Sequence, residues 1–215
     1  MGKKEEIGAE WNKLDPNKEN PVRHTGQKYL KFVNTAVFSE SANHYLKHKC
    51  YTLAPMGTSE YIEFWDQEEE RCINGYTVGG VRITGEHYAY LNYGRILATV
   101  TQGKRQRKID TFPKFLDMDY YWYHELEEAE RNGEGMIVVK ARRKGFSYKN
   151  AFGMAWKYNW FPNSISILAA YEKTFWANTM EMAKNMINFI NENTDWAKGF
   201  LHDRQDAFKS GYVEK

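Results

Sequence analysis

The sequence predicts an α/β fold, in which a parallel sheet flanked by helices follows a small helical and antiparallel β region. Residues 136–139 are continuously apolar and residues 165–170 nearly so, which is typical of strands covered on both faces. Residues 146–160 and 175–191 carry apolar side chains at helical spacing. A strand, a helix and a second strand form a βαβ unit with a right-handed crossover, so the two strands should run parallel.

The composition predicts a folded chain with a polar surface in a reducing compartment. Aromatic residues make up 16% of the 215 residues, which supplies a large apolar area for a core. The net charge is +2, so any contact with a polyanion must come from local basic clusters. Cys50 and Cys72 lack the C-x-x-C spacing of a zinc ribbon. No apolar run approaches the ~20 residues that cross a bilayer, and we expect a cytoplasmic protein without a membrane partner.

The first part of the chain is predicted to be a tail followed by two helices. Residues 1–26 are charged and interrupted by prolines, which is typical of a tail or linker. Residues 27–51 carry apolar residues at helical spacing and should form an amphipathic helix, broken near Ser39. A second helix is expected over residues 61–74, with the acidic residues of 63–70 on its solvated face.

Residues 75–97 are predicted to form strands. Two short strands should flank the turn at Gly79 and Gly80. The apolar and polar alternation then continues into a further predicted strand, whose alternating residues are Tyr88, Tyr90 and Asn92.

A second hairpin is predicted to pair residues 96–101 with residues 108–112, which completes a region of helices and hairpins over residues 27–112. Its tip carries the sharpest basic cluster in the chain: Lys104, Arg105, Arg107 and Lys108. Clustered cations of this kind can contact DNA phosphates, but a position in a hairpin turn favours a solvated cluster.

Residues 113–215 are predicted to form the main domain, which begins at Pro113. Asp117 or Asp119 should cap a helix that runs towards Arg131. The aromatic run at residues 120–123 on this helix favours core packing over stacking on nucleic-acid bases. Strand, loop, helix, strand and helix then follow in that order.

The loop between the first apolar segment and its helix carries the candidate chemistry. A phosphate-binding loop of the form G-x-x-x-x-G-K-[ST] lies between a strand and a helix. Gly145 and Ser147 occupy the second-glycine and hydroxyl positions, whereas Lys140 replaces the first glycine and Phe146 replaces the lysine. Candidate nucleotide-binding residues are Lys140, Ala141, Arg142, Arg143, Lys144, Gly145, Phe146, Ser147 and Tyr148.

Each departure from the pattern has a physical account. Backbone N–H groups of such a loop point at the phosphates, and the following helix presents its positive end. Lys140 at the start of the loop can supply the displaced ammonium, and Ser147 can offer its hydroxyl to Mg²⁺. Arg142 and Arg143 add donors for phosphate oxygens. The alternative is that Arg142, Arg143 and Lys144 form a solvated surface cluster.

These residues carry a resemblance to a known family. The string KARRKGFSY resembles the variant Walker A of tailed-bacteriophage terminase large subunits, in its lambda-like form. FWDQEEERCINGYTVGGVRITGEHYAYLNY resembles a segment that precedes the ATPase core in such proteins, and ISILAAYEKTFWA is similar to the second strand region of that fold. The resemblance covers residues 64–189.

The resemblance implies a P-loop NTPase of the ASCE type that uses ATP and Mg²⁺ to pump double-stranded DNA into a procapsid. Lys140 and Ser147 would bind nucleotide and metal, and Arg143 would act with Lys140 in catalysis by sensing the terminal phosphate. Phe112 and Tyr120 are candidates for holding the adenine. Implied partners are the portal protein, the terminase small subunit and further copies in a ring, in the host cytoplasm and transiently on the procapsid.

Part of the family's machinery is missing from the chain. An apolar strand ending in Asp-Glu should hold magnesium and activate water, but residues 165–170 lead into Tyr171 and Glu172 without an aspartate. We therefore expect an N-terminal, incomplete part of a longer ATPase, inactive by itself. The alternatives are a non-catalytic nucleic-acid-binding or assembly module with this fold, and another P-loop enzyme such as a helicase.

Overall fold

The computed structural model describes residues 34–102, 105–141 and 144–210. A 3-10 helix, Thr35–Ser39, leads into helix α1, Glu40–His48. The change of helix type at Ser39 confirms the predicted break there. The predicted tail (1–26) and the first residues of the predicted helix over 27–51 lie outside the described residues.

Helix α2 spans Ser59–Asn74 and confirms the second predicted helix. Thr58 begins it, because the threonine hydroxyl accepts a hydrogen bond from the backbone N–H of Tyr61 at 3.3 Å. Gly75 ends it with a positive φ of 89°, a conformation that favours glycine.

The first hairpin has the predicted turn. Strands β1 (Tyr76–Val78) and β2 (Val81–Ile83) pair antiparallel, and Gly79 and Gly80 connect them with φ angles of 57° and 80°. Both angles suit glycine, which carries no Cβ.

The predicted strand with Tyr88, Tyr90 and Asn92 is wrong, because this segment is helix α3, Gly85–Tyr93. Thr84 caps it by accepting a hydrogen bond from the backbone N–H of His87. All nine residues of α3 are buried, so no polar stripe marks the helical period. The alternation of residues in this segment therefore does not correspond to the two faces of a sheet strand.

Helix α3 lies at the centre of the molecule. It packs against the 3-10 helix, α1 and α2, and also against three helices that follow it in the chain. Gly85 permits this close packing, since a Cβ there would lie 2.4 Å from the carbonyl oxygen of Ile73. The path of the backbone at the start of α3 thus depends on glycine.

The second hairpin is confirmed. Strands β3 (Ile96–Gln102) and β4 (Arg105–Thr111) pair antiparallel from Ile96 opposite Thr111 to Gln102 opposite Arg105. The pairing reaches closer to the tip than predicted.

Helix α4 spans Asp117–Asn132, as predicted, but neither aspartate caps it. The N-cap residue is Leu116, which makes no side-chain cap, and Asp119 instead pairs with a lysine of the next helix. Gly133 ends α4 in the left-handed conformation at φ 66°.

The last two helices are also confirmed. Helix α5 spans Phe146–Trp160, and helix α6 spans Lys173–Asn193 and packs along α5. Strands β5 (His202–Asp203) and β6 (Phe208–Lys209) form a small antiparallel pair that the sequence pattern did not predict.

The two segments predicted as buried parallel strands are exposed. Residues 136–139 and 165–170 belong to no strand, and every sheet among the described residues is a two-stranded antiparallel pair. Ile137 and Val139 are 93% and 95% exposed, and Ile165 and Ile167 are 86% and 88% exposed. A strand needs a neighbouring strand for its backbone hydrogen bonds, and these segments have none in the part of the chain described. The fold is a mixed helical one with small antiparallel sheets.

One hydrophobic cluster joins residues on both sides of Pro113, and it is largely aromatic. Trp160 and Tyr93 both pack on Trp196, with ring centroids 5.1 Å apart in each pair. Tyr120, Tyr121 and Tyr123 are buried, so core packing of the aromatic run on α4 is confirmed. None of the described helices is long and apolar enough to cross a membrane.

Candidate functional site at the start of helix α5

The turn before α5 has a geometry suited to close backbone approach. Gly145 is the N-cap residue, with φ of 74° and nothing within 4 Å of the position of a Cβ. Its carbonyl accepts hydrogen bonds from the backbone N–H groups of Tyr148 and Lys149. The N–H groups of Phe146 and Ser147, at the start of the helix, have no partner within it. The first turn of α5 contains no acidic residue to neutralise its positive end.

Lys140 lies beside this turn. Its Nζ atom is 5.4 Å from the centroid of the Phe146 ring, a cation–π contact with the first residue of α5. The ammonium group of Lys140, the first residue of the loop, therefore lies beside the start of the helix. Ala141 is exposed and Lys144 half-buried, whereas Arg142 and Arg143 lie outside the described residues.

Ser147 and Tyr148 face different surroundings. Ser147 is exposed in the first turn of α5, so its hydroxyl is accessible to a ligand. Tyr148 is half-buried, and its hydroxyl accepts a hydrogen bond from the backbone N–H of Leu97 at 3.2 Å. Tyr148 thus fixes the start of α5 to β3.

A buried ion pair lies one turn into α5. Lys149 of α5 and Asp119 of α4 pair with each other, and both are almost completely buried. The Lys149 ammonium also lies 4.3 Å from the centroid of the Phe146 ring, on which Lys140 rests as well. Burial, and to a smaller extent the Lys140 charge, lowers the pKa of Lys149, while burial raises that of Asp119.

The sequence does not predict the Lys149–Asp119 pair. A lone lysine in a helix is usually on the solvated face, and the position of Asp119 predicts only a helix cap. The spacing of three residues between Phe146 and Lys149 does place both on one side of α5.

A groove of about 910 Å³ runs along α5 from this turn. The side chains of Lys140, Phe146 and Lys149 line one end, and Gly153 and Lys157 lie further along the helix. Both exposed apolar segments also line the groove, through Met136, Val138 and residues 164–168.

A second charged group in the groove is Glu86, at the start of α3. Its side chain lines the groove although the residue is only 7% exposed. Burial and the nearby Glu130 carboxylate raise the pKa of Glu86 to about 8, and Lys157 opposes them. No pattern in the sequence distinguished Glu86 from a surface glutamate.

Glu68 corrects the prediction of a fully solvated acidic face on α2. It is completely buried and accepts hydrogen bonds from four side chains. The donors are Ser41 at 2.9 Å, Tyr88 at 2.7 Å, Tyr93 at 2.5 Å and Arg71 at 2.8 Å. These contacts join α1, α2 and α3, so Glu68 is a structural residue of the core.

The remaining predicted residues are not part of the α5 site. Arg105, Arg107 and Lys108 are exposed on β4, and Lys104 lies outside the described residues. Their exposure is compatible with DNA contact and with a solvated hairpin alike. Phe112 and Tyr120, the candidates for holding adenine, are 5% and 2% exposed. Phe112 packs on Tyr45 and Phe189, so its ring is not open to a ligand.

Comparison with known proteins adds no relative: no protein family, curated protein or solved structure matches the chain. Among the described residues there is also no group of three His, Cys, Asp or Glu side chains that could hold a metal ion. Of the described residues predicted to bind nucleotide, Ser147 alone carries a hydroxyl at the helix start with open access. A magnesium ion entering with a nucleotide would therefore find one protein ligand here, the Ser147 hydroxyl.

Proposed function

We propose that the chain is the N-terminal part of a phage terminase large subunit, an ATP-driven motor that moves double-stranded DNA into a procapsid. The observation that carries the proposal is the position of Lys140 beside the first turn of α5, next to Gly145 in the left-handed conformation. This arrangement supports a phosphate-binding loop whose ammonium comes from its leading edge.

The binding chemistry follows from these residues. The positive end of α5 and the free backbone N–H groups of its first turn attract an anion. Lys140 supplies a charge-assisted hydrogen bond, and Ser147 supplies a hydroxyl for the magnesium ion that accompanies ATP. Arg143, in the same loop by sequence, is proposed to contact the terminal phosphate.

The exposed apolar segments support an ASCE-type parallel sheet as part of this proposal. Residues 136–139 and 165–170 contain no charged side chain and flank α5 in the chain. Both line the groove beside α5. Further strands of a parallel sheet would pair with these segments, and the helices on the faces of that sheet would cover their exposed side chains, which otherwise remain in water at a cost in free energy.

The proposed partners are double-stranded DNA, the portal protein, the terminase small subunit and further copies of the chain in a ring on the procapsid. Arg105, Arg107 and Lys108 are proposed DNA contacts, because they are exposed cations on one short strand. The proposed location is the host cytoplasm, with transient docking on the procapsid.

A second candidate is a non-catalytic nucleic-acid-binding or assembly module. The observation that favours it is the cation–π contact between Lys140 and Phe146, which engages the ammonium with a ring. Phe146 also stands where the ordinary motif has its lysine. An active P-loop enzyme of another kind, such as a helicase, shares the first candidate's nucleotide chemistry and would differ by separating strands.

Replacing Lys140 by alanine should weaken binding of ATP with Mg²⁺ at least roughly tenfold, since a charge-assisted hydrogen bond contributes about 1.5–3 kcal/mol. Equilibrium dialysis with labelled ATP would measure the affinity. Lys173→Ala is the matched control, because it removes the same charge from the start of another helix, α6, where Lys173 is exposed and does not line the groove.

The proposal predicts a loss in Lys140→Ala and near-normal binding in Lys173→Ala. Equal affinity of wild type and Lys140→Ala would contradict the phosphate-loop assignment. Wild-type chain that binds DNA but no ATP would favour the non-catalytic module.

A further inference from the structure

Glu86 is a buried carboxyl group that faces an open groove. The residue is 93% buried, as its 7% exposure implies, yet its side chain lines the groove along α5. Within the described ranges, Glu86 makes no hydrogen bond or ion pair. A carboxyl group that is mostly buried, has no partner and faces a groove is suited to bind a polar ligand that enters the groove.

Helix α5 passes close to the Glu86 carboxyl group because residue 153 is glycine. A Cβ at Gly153 would lie 2.8 Å from Oε1 of Glu86, closer than real contacts allow. Both residues line the groove, so the carboxyl group lies beside the backbone of α5 at this point. Trp122 of α4 lines the same groove and offers an aromatic surface.

Burial favours the neutral form of Glu86. Burial and the Glu130 carboxylate of α4 raise its pKa to about 8, and Lys157 of α5 is the opposing cation. Tyr123 of α4 is a further titratable neighbour, and burial raises its own pKa. A protonated carboxyl group presents one O–H donor beside one carbonyl acceptor.

The distance to the phosphate loop suits a nucleotide. Gly153 follows Phe146 by seven residues, which corresponds to about 10 Å along the axis of α5. The end of the groove that contains Lys140 and Lys149 is thus separated from Glu86 by about the combined length of a ribose and a phosphate chain. The groove is also lined by the apolar side chains of Leu126 and Met154, which suit a flat base.

We propose, resting on the nucleotide site proposed above, that the groove along α5 binds the base of ATP and that Glu86 recognises the adenine edge. The adenine 6-amino group is a donor and the neighbouring ring nitrogen N1 is an acceptor, which complements a neutral carboxyl group. Ionised Glu86 has two acceptors, so its oxygen and N1 would repel each other. Trp122 provides the stacking surface.

The test compares wild type with Glu86→Gln and Glu86→Leu. Glutamine keeps one donor and one acceptor at every pH, whereas leucine removes both. At roughly pH 6, ATP should bind wild type and Glu86→Gln similarly and Glu86→Leu roughly tenfold more weakly, because two hydrogen bonds are lost. At roughly pH 9.5, wild type should fall to the level of Glu86→Leu while Glu86→Gln keeps its affinity.

Inorganic tripolyphosphate, which has no base, separates this inference from the phosphate loop on which it rests. It should bind all three proteins equally at both pH values. Equal ATP affinity of wild type and Glu86→Leu, with tripolyphosphate still bound, would overturn base recognition by Glu86 and leave the loop in place. Loss of tripolyphosphate binding in wild type itself would overturn both proposals. Wild-type and Glu86→Gln affinities for ATP that fall together at high pH would also exclude Glu86 as the titrating group.

Discussion

Replacing Glu68 by alanine should lower the free energy of unfolding by about 3–5 kcal/mol, because the change leaves two buried tyrosine hydroxyls and the half-buried Arg71 without their acceptor. Arg71 donates to Glu68 at 2.8 Å, and the hydroxyls of Tyr88 and Tyr93 donate to its two oxygens. With alanine at position 68 these donors keep their desolvated positions but lose their acceptor. Denaturant unfolding followed by circular dichroism would measure the difference.

Glu69→Ala is the matched control for this prediction. Glu69 is the next residue of α2 and is exposed, so the same substitution there should change stability by no more than about 0.5 kcal/mol. Glu68→Gln should fall between the two, since an amide keeps an acceptor but loses the charge opposite Arg71. Similar stabilities of Glu68→Ala and Glu69→Ala would show that the buried network does not hold α1, α2 and α3 together.

Lys149→Met should destabilise the chain by about 3–5 kcal/mol, because it removes one member of a buried ion pair and leaves Asp119 charged or newly protonated in the core. Methionine fills nearly the volume of the lysine stem, so the loss reports on the charge more than on packing. The double variant Lys149→Met, Asp119→Leu should recover most of the stability, since neither charge remains buried. Thermal or denaturant unfolding of the two single variants and the double variant completes the cycle.

The exposed pair of Lys157 and Glu130 is the control for the buried pair. Lys157→Met should cost no more than about 1 kcal/mol, because that ion pair lies in solvent. If the double variant were as unstable as the sum of the two single variants, the attraction between Lys149 and Asp119 would contribute nothing. The first turn of α5 would then be held by Phe146 and Tyr148 alone.

The sequence predicted those elements that have one apolar face or a strong turn. Helix α5 has the predicted limits, and the β3–β4 hairpin has the predicted partners, because alternating or helically spaced apolar residues marked them. Helix α3 escaped prediction because all of its residues are buried, which erases the periodicity on which such prediction depends. Residues 136–139 read as a buried strand for the same reason, and local composition cannot tell whether neighbouring strands are present.

The residues of the candidate site also fall into two groups, those that the sequence predicts and those that it does not. Lys140, Gly145 and Ser147 could be selected from the sequence, because a phosphate loop fixes the spacing of its residues. Lys149, Asp119 and Glu86 could not, since their environment depends on how α3, α4 and α5 pack together. A single charged residue within a helix is usually solvated, and only a tertiary contact identifies the exceptions.

The exposed apolar segments on either side of α5 favour self-association of the chain. Uncharged runs of β-branched residues displayed to solvent can pair with the same runs in other molecules, and native proteins guard such edges with charges or cover. Residues 136–139 and 165–169 have no such gatekeeper among them. Self-association through these runs would compete with ligand binding at high protein concentration, so dilute solutions suit the measurements on this chain.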